Sequence, residues 1–366
     1  MSTPPAQHDV PGSPAPDARQ SVVQTLARFG PEFTAAVAAG TQAAPSEADC
    51  LRYVQDLAGS HYENFSVLSS LVPTAVRPDF AAIYAFCRWS DDLGDETGAD
   101  QAARDRSVML LNWWRGELQA CFAGHPRHPI FVALAPTIRR HSLPIEPFDA
   151  LISAFLQDQT VTRYQTWDQL LGYCRNSANP VGRLVLLLAG HRPERDPAIA
   201  TVNGQDLGLF ACSDLVCTAL QLTNFWQDVR RDLVERDRVY LPSDETGFTA
   251  DDLRLWLDKG EDSPTRIRYI RAVRPLVDRT REMFDQAATL PDHVHPGFAP
   301  VIWLFAAGGR HVLERVESTG CTTLWQRPKL SKLSKALLVG RAWLRSRRAG
   351  NASTPSRHPA PAEATS

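Results

Sequence analysis

The sequence lacks any excess of positive charge. Its 366 residues include 39 Lys and Arg against 41 Asp and Glu, a formal net charge of −2. Proteins that bind nucleic acid usually have a basic balance or a basic face, so this composition predicts no nucleic-acid partner. Any charged partner must therefore be met by a local group of side chains.

Cysteines and long apolar runs are also scarce. The seven cysteines are scattered, odd in number and never spaced Cys-x-x-Cys, so they predict neither a disulfide framework nor a zinc site. The longest aliphatic run, at 184–190, is too short to cross a bilayer, and the N-terminus lacks the charged-then-apolar order of a signal peptide. We expect a cytoplasmic protein with reduced cysteines and no transmembrane anchor.

Helical periodicity dominates the rest of the sequence. Apolar residues recur mostly at spacings of three and four, strand-like alternation is rare, and proline clusters separate the periodic segments. These patterns predict an all-α protein with eight or more helices. Because both ends are rich in Pro, Ala and Ser, we expect flexible tails at 1–45 and 349–366, with one helical domain at 46–328 and a basic amphipathic helix at 329–348.

Three oxygen-bearing side chains follow one another along the helical stretch "LQLTNFWQDVRRDL". Asn224, Asp228 and Asp232 are spaced four apart, so they share one face of the helix. A spacing of this kind is commonly a solvated acidic stripe, but here its neighbours are apolar and aromatic. Because such a column repels itself unless cations bind it, the setting favours a functional site as much as a solvated face.

A second acidic line occurs in "CRWSDDLGDE". Asp91 and Asp95 are four apart, and Asp92 and Glu96 form a parallel pair on the same helix. Oxygen ligands without His or Cys favour Mg²⁺, which is typically held by one or two carboxylates together with substrate phosphates. We therefore expect the two lines to face each other with a diphosphate between them. Gly94, costly inside a helix, predicts the close approach of substrate or of a neighbouring helix.

A diphosphate held by magnesium in an apolar helical cavity predicts ionisation of a prenyl diphosphate. The metal stabilises the leaving group, while the walls keep water from the carbocation. Aromatic rings near the two lines could face that cation, although each is more commonly plain core. These rings are Phe65, Tyr84, Phe86, Trp89, Tyr173, Phe225, Trp226 and Tyr240.

Four ordered blocks resemble the squalene/phytoene synthase family over most of the chain, from about His61 to Pro328. The blocks are "HYENFSVLSSLVP", "AIYAFCRWSDDLGDE", "YCRNSANPVGRLVL" and "LQLTNFWQDVRRDLVERDRVYLP". The resemblance implies a catalytic domain with the all-α isoprenoid-synthase fold and a central apolar cavity. It also implies Mg²⁺ and head-to-head terpenoid chemistry at a diphosphate.

The resemblance carries site roles onto matching positions. It makes Asp91 and Asp95 the first metal and catalytic pair, and Asn224, Asp228 and Asp232 the second set. Arg88 would hold the diphosphate, for which a guanidinium fork is suited. The positions expected to contact substrate are Arg88, Phe65, Tyr173, Val181, Gly182, Gln221, Gln227 and Tyr240.

Two departures from the family pattern narrow the expected activity. Condensing members usually have small hydroxyl and basic residues before the Phe of the first block, where this chain has Glu63 and Asn64 before Phe65. They also commonly have Arg where this chain has Gln227. Both changes make the local charge less positive, which disfavours the binding of a second diphosphate. The pattern looks most like the bacterial hydroxysqualene synthase branch, which uses presqualene diphosphate and water, without NADPH, in squalene and hopanoid biosynthesis.

That branch needs a residue that positions the capturing water. Glu63 and Asn64 are the candidates by chemistry. Their alternative roles are structural, with Glu63 near the positive end of a helix dipole and Asn64 as a helix cap. A further departure is Cys321, which stands where the family often has Tyr and changes the expected wall of the cavity.

The segment 329–348 carries seven Lys and Arg and no acidic residue, interleaved with leucines and a tryptophan. The pattern favours a helix that lies on anionic lipid, here at the inner face of a bacterial membrane. The alternative is a final helix packed on the domain with a solvated basic face. Association with neighbouring squalene-pathway enzymes is implied by the resemblance alone.

Other functions stay open at this point. Within the family, the alternative is a head-to-head prenyl transferase that makes presqualene diphosphate, squalene or phytoene. From another class, the chain would be a catalytically silent protein that binds a prenyl diphosphate or scaffolds partners, which the intact acidic lines disfavour. A helical interaction protein outside the family is disfavoured by the four ordered blocks.

Overall fold

The structure is a computed structural model that describes residues 25–60, 69–95, 100–195, 197–202, 204–260 and 262–352. As the sequence predicts, helices dominate it. The helices are α1 (Pro31–Ala38), α2 (Glu47–Ser60), α3 (Arg77–Asp95), α4 (Gln101–Phe122), α5 (Pro129–His141), α6 (Glu146–Gln157), α7 (Trp167–Ser177), α8 (Asn179–Leu188), α9 (Leu209–Arg236), α10 (Ser243–Thr246), α11 (Ala250–Lys259), α12 (Ser263–Gln286), α13 (Leu290–His293), α14 (Ala299–Ser318) and α15 (Lys332–Ala352). A short 3₁₀ turn, Thr74–Val76, precedes α3.

The chain divides into two compact units. The first unit consists of Met1–Ser60 and Ala81–Thr162, and the second consists of His61–Phe80 and Arg163–Ser366. The boundary between them falls inside α3, so most of that helix belongs to the first unit. Consequently, the first acidic line belongs to the first unit and the second line to the second unit.

An aromatic cluster forms the centre of the first unit, where α2 packs on α5 and α4 packs on both α5 and α6. Trp114 is fully buried, and its ring lies 5.9 Å from that of Phe86 and 5.3 Å from that of Trp89. The indole N–H of Trp114 donates to Ser90 Oγ at 2.9 Å, so the buried donor is satisfied. Since three of these partners lie on α3, the cluster fixes the helix that carries Asp91.

Helix α9 is the centre of the second unit, where it packs against α7, α8, α12, α13 and α14. Trp226, fully buried on α9, donates its indole N–H to Thr280 Oγ1 on α12 at 2.8 Å and stacks on Trp167. This packing holds the apolar side of α9 in place. The second acidic line is therefore carried by the most extensively packed helix of its unit.

Two glycines allow close helix packing. A Cβ at Gly182 on α8 would lie 2.5 Å from both Ser213 Oγ and Cys217 Sγ on α9, so only glycine permits this approach. A Cβ at Gly94 would lie 3.2 Å from the Phe155 ring on α6. Of the two explanations that the sequence left open for Gly94, the structure supports the approach of a neighbouring helix.

A small hairpin, like helix α1 within 1–45, is a described element that the sequence analysis did not predict. Strand β1 (Ala198–Val202) pairs antiparallel with β2 (Gln205–Gly208). Gly204 has a φ of 78°, a conformation that favours glycine. The Asn-Gly pair at 203–204 is a hairpin signal that the helical periodicity around it obscured.

Helices are also present near both ends of the described chain, since α1 lies within 1–45 and α15 begins within 329–348. All seven cysteines are free thiols, five of them buried and two half-buried. Across the described ranges, no helix combines the length and the apolar character needed to span a bilayer.

Candidate active site

The second acidic line lies on α9 as the sequence predicts. Asn224 is exposed, whereas Asp228 and Asp232 are half-buried. The backbone at Asp228 leaves helical geometry, with φ −106° and ψ 15°, so α9 is kinked at its middle aspartate. This sparsely populated conformation is one that active-site residues often adopt.

Arg327 binds the middle aspartate of this line. Its guanidinium donates from Nε to Asp228 Oδ1 at 2.5 Å and from Nη2 to Asp228 Oδ2 at 3.0 Å. These hydrogen bonds raise the pKa of Arg327. The neighbouring Gln227 donates its side-chain amide to the carbonyl of Pro328 at 2.7 Å. The segment that leads into α15 is therefore attached to α9 at the acidic line.

Sequence reasoning missed Arg327. It noted that Gln227 removes a positive charge from α9 but did not see that Arg327 returns one from a distant segment. The only available signal was an Arg in the loop that closes the family-like region, and no local periodicity connects that loop with α9. The loss of charge at 227 is thus offset within the same site, which weakens the inference drawn from that departure.

The last member of the line has an unusual protonation equilibrium. Burial, with a second contribution from the charge of Asp228, raises the pKa of Asp232 to about 7. The nearby Arg231, Arg236 and Arg238 oppose this shift but do not cancel it. A bound cation would favour the ionised carboxylate, because opposite charge stabilises the charged form.

The donor set on α9 fits Mg²⁺, since two carboxylates and one amide supply hard oxygen atoms. Within the part of the chain that the structure describes, no group of three or more His, Cys, Asp or Glu residues is arranged to hold a metal ion. A divalent cation on this line would therefore take its remaining ligands from water or from substrate phosphates.

The first acidic line lies at the C-terminal end of α3. Arg88 contacts Asp91 Oδ2 at 3.2 Å and also pairs with Asp92 on the next turn. Asp95 is the last residue of α3. The guanidinium expected to bind diphosphate therefore lies beside two carboxylates of this line. That the two acidic lines face each other stays a prediction.

An apolar cavity of about 200 Å³ adjoins the second acidic line along α9. It brings together three of the predicted substrate positions, Val181, Gly182 and Gln221, with Leu220 and Phe305 among the other lining residues. Gln221 lies three residues before Asn224, so the cavity is within one helical turn of the acidic line. Because ligand pockets usually measure about 300–1,000 Å³, this cavity suits part of a long prenyl chain.

Two other predicted substrate residues, Tyr173 and Tyr240, lie in an aromatic stack with Phe225. The rings of Phe225 and Tyr240 are nearly parallel with centroids 3.7 Å apart, and Tyr173 lies 6.0 Å from Phe225. Tyr173 and Tyr240 are both buried. The stack joins α7, α9 and the segment after α9, so these rings have a packing role whatever else they contact.

Three predicted site residues, Glu63, Asn64 and Phe65, lie outside the described residues.

Comparisons with known proteins agree with this architecture. The solved squalene synthase HpnC from Alicyclobacillus acidocaldarius is 36% identical, and the match covers 75% of this chain and 95% of that one with a TM-score of 0.61. The fold is that of the helical isoprenoid synthases. The sequence model of the squalene/phytoene synthase family matches residues 58–334. The chain belongs to this family, whose members are enzymes that process prenyl diphosphates.

The relatives in this family differ in activity. A hydroxysqualene synthase from Zymomonas mobilis is 35% identical over 202 residues, which is 53% of this chain and 61% of that protein. A phytoene synthase from Thermus thermophilus is 31% identical over 291 residues, which is 79% of this chain and 90% of that protein. The predictions of fold and family are confirmed. The particular reaction does not follow from family membership, because relatives with both activities match this chain.

Proposed function

We propose that this protein is a hydroxysqualene synthase, which converts presqualene diphosphate and water to hydroxysqualene and diphosphate in squalene and hopanoid biosynthesis. The observation that carries the proposal is the order of features along α9, where an apolar cavity is followed within one turn by an oxygen-rich line. A substrate with a long apolar body and a diphosphate end matches that order.

The reaction begins with loss of diphosphate, and the residues on α9 are suited to this step. Asn224, Asp228 and Asp232 would hold Mg²⁺, which when bound neutralises the charge that develops on the departing diphosphate. Arg327 lies on Asp228, so a cation that binds this carboxylate would free the guanidinium to donate to phosphate oxygens. Arg88 would serve the same purpose from the first line, since Arg forms bidentate contacts with phosphate.

The cavity would bind the apolar part of the substrate. Apolar walls such as Val181, Leu220 and Phe305 would bind the prenyl chain and exclude bulk water, so the cation survives long enough to rearrange. No reductant is needed, because capture by water completes the reaction without a change in oxidation state. We accordingly propose Mg²⁺ as the cofactor and no NADPH.

The alternative within the family is a head-to-head prenyl transferase. One finding favours it, since the match to the phytoene synthase from Thermus thermophilus covers 79% of this chain and 90% of that protein. Arg327, which returns a positive charge beside Gln227, is also compatible with it. Against it stand Glu63 and the 35% identity over 53% of this chain to the hydroxysqualene synthase from Zymomonas mobilis.

Product analysis distinguishes these proposed functions. The purified protein is incubated with Mg²⁺, without reductant, and with one substrate at a time: presqualene diphosphate, farnesyl diphosphate or geranylgeranyl diphosphate. Hydroxysqualene from presqualene diphosphate, with no C30 or C40 product from the other two, supports the proposal. Formation of presqualene diphosphate or phytoene from the shorter substrates supports the transferase, and turnover of none supports a silent binding or scaffold protein.

We further propose a peripheral location on the inner face of a bacterial membrane, with α15 as the contact. Leu333, Leu337 and Leu344 are 70%, 56% and 54% exposed, and their spacing places them on one face of the helix. The opposite face, around the fully buried Ala342, packs on α14. The absence of acidic residues from 329–348 makes anionic lipid the complementary partner.

Liposome flotation tests this location. The full chain and a Leu333→Ser, Leu337→Ser, Leu344→Ser triple variant are mixed with vesicles of anionic or of zwitterionic lipid. We expect the full chain to float with anionic vesicles only and the variant to stay behind. Equal recovery of both would remove the membrane role. Association with neighbouring pathway enzymes is a separate proposal, which co-purification from the native host would test.

A further inference from the structure

Two guanidinium groups converge on one carboxylate oxygen of α9. Arg327 donates from Nη2 to Asp228 Oδ2 at 3.0 Å, and Nη1 of Arg231 lies 3.6 Å from the same oxygen. Arg231 lies on α9 about one turn after Asp228, whereas Arg327 comes from the segment before α15. Two positive groups therefore share one negative group, although like charges close together repel each other.

A single carboxylate is a poor match for this pair of groups. Each guanidinium carries five N–H donors, whereas a carboxylate offers two oxygen atoms. Arg231 uses its Nε for Glu235 at 3.2 Å, and Arg327 uses Nε and Nη2 for Asp228. A diphosphate carries several negative oxygens and could accept from both groups at once, since Arg forms bidentate contacts with phosphate. The pair is therefore better matched to a diphosphate than to Asp228 alone.

Both guanidinium groups are placed to exchange partners. The side chains of Arg231 and Arg327 are 45% and 40% exposed, whereas that of Asp228 is 16% exposed. Ion pairs with partners this exposed are individually weak. Gln227 donates to the carbonyl of Pro328 at 2.7 Å, so the backbone beside Arg327 stays attached to α9 when its guanidinium turns. An exchange of partners therefore requires only side-chain rotation.

We propose that Arg231 and Arg327 together hold Asp228 until the diphosphate of the substrate arrives with its cation, and then pass to the phosphate oxygens, an inference that rests on the proposed metal and diphosphate site. Binding of a cation alone is disfavoured, because it displaces both guanidinium groups and leaves them beside another positive charge. Binding of diphosphate alone is disfavoured, because its charge meets those of Asp228 and Asp232. Bound together, each ligand removes the obstacle to the other, which is positive coupling.

This role of Arg231 predicts changes of opposite sign in two binding measurements. Arg231→Gln should bind a divalent cation more tightly, by about fivefold, because one competitor for Asp228 is removed. The same variant should bind diphosphate more weakly, by about tenfold, because a charge-assisted donor to phosphate is lost. A merely structural role for Arg231 would not raise one affinity while lowering the other.

The test uses the purified full chain without a prenyl substrate. Mn²⁺, which takes the same oxygen ligands as Mg²⁺, is titrated alone and followed by electron paramagnetic resonance, and inorganic diphosphate is titrated by calorimetry in excess Mg²⁺. Arg327→Gln should shift both affinities in the same directions as Arg231→Gln. The matched control is Arg230→Gln, which removes the same charge from an exposed side chain about 100° around α9. It should keep both affinities near those of the wild type.

The outcomes distinguish this inference from the proposed function. If either affinity of Arg231→Gln equals that of Arg230→Gln, or if both affinities fall, the exchange of partners is overturned and the proposed function is unaffected. A wild-type protein that binds neither Mn²⁺ nor diphosphate overturns the inference together with the proposed metal site. If Arg231→Gln does not fold, Arg231→Lys, which keeps the charge but not the planar fork, should still bind diphosphate more weakly. Unchanged diphosphate binding by that variant would overturn the role of Arg231.

Discussion

The guanidinium of Arg327 holds both carboxylate oxygens of Asp228, although the two residues are 99 positions apart in the chain. Asp228 is also the point at which α9 is kinked. The arrangement places a positive group, a carboxylate and an altered backbone at one point of the acidic line. A cation bound there has to compete with Arg327 for Asp228.

Removal of Arg327 should impair the chemical step. Because the freed guanidinium would donate to the departing diphosphate, Arg327→Gln should lower turnover by about 10²–10³, the usual effect of losing one donor to developing charge. Arg327→Lys should recover only part of the rate, since an ammonium cannot form the bidentate contact. Steady-state diphosphate release measures the effect, with exposed Arg341→Gln as the control. A wild-type rate for Arg327→Gln would contradict this role.

Substitution should show whether the carboxylates of α9 take part in the reaction or only form an acidic surface. Asp228→Asn and Asp232→Asn keep the size of each side chain but remove its charge, so each should lower turnover by about 100-fold or more. The matched control is Glu235→Gln on the same helix, whose carboxylate pairs with Arg231 outside the predicted metal set. Circular dichroism checks that each variant is folded. Equal rates for all three variants would mean that the line is only a charged face.

Mg²⁺ activation should depend on pH through Asp232. Its pKa is raised to about 7 by burial and by Asp228, and only the ionised carboxylate binds the metal. The Mg²⁺ concentration for half-maximal activity should therefore rise about tenfold for each pH unit below 7 and level off above about 8. Mg²⁺ titrations at about pH 6, 7 and 8 measure this. A constant requirement over that range would show that Asp232 does not ligate the metal.

Stability should fall in mild acid because of His128. This side chain is fully buried among aromatic rings, which lowers its pKa from 6.5 to about 3. Between these values the unfolded state binds more protons, so stability is lost as pH falls below about 6.5, by about 1.4 kcal/mol per unit and about 2 kcal/mol at pH 5.

His128→Asn tests this origin. Asparagine can still accept the hydrogen bond from the Ile130 N–H, which His128 Nδ1 now accepts at 3.2 Å, but it does not titrate. Urea unfolding at about pH 5 and pH 7 should show a smaller acid loss for the variant than for the wild type by about 2 kcal/mol. Identical losses in both proteins would assign the acid sensitivity to other groups.

Substitution of Gly182 should lower the free energy of unfolding, because α8 and α9 pack too closely there for a side chain. Gly182→Ala introduces a Cβ 2.5 Å from Ser213 Oγ and Cys217 Sγ, an overpacking that typically costs about 1–3 kcal/mol. Gly116→Ala is the matched control, because a Cβ there meets no atom within 4 Å inside helix α4, and it should stabilise by about 0.5–1 kcal/mol. Thermal or urea unfolding gives both values. A Gly182→Ala protein as stable as the wild type would mean that α8 shifts without cost.

Much of the fold follows from local pattern. Spacings of three and four predict helices because they repeat with the turn of an α-helix, and the column of Asn224, Asp228 and Asp232 needs only that geometry. The hairpin at 198–208 was not predicted, because its two strands are too short to show a clear alternation of apolar and polar residues. Most of its sequence signal lies in the single Asn-Gly pair between the strands. Gly94 was marked by its cost in a helix, but its partner Phe155 was not predictable from any spacing.

By itself, the sequence determined the helical class, the family and the identity of the acidic lines, because each depends on residues close together in the chain. Tertiary structure decided what those residues contact. It placed Arg327 on Asp228, and it placed the apolar cavity within one turn of the second acidic line on α9. Such contacts depend on how helices far apart in sequence pack together, and packing is a sum over many weak apolar contacts that no single motif encodes.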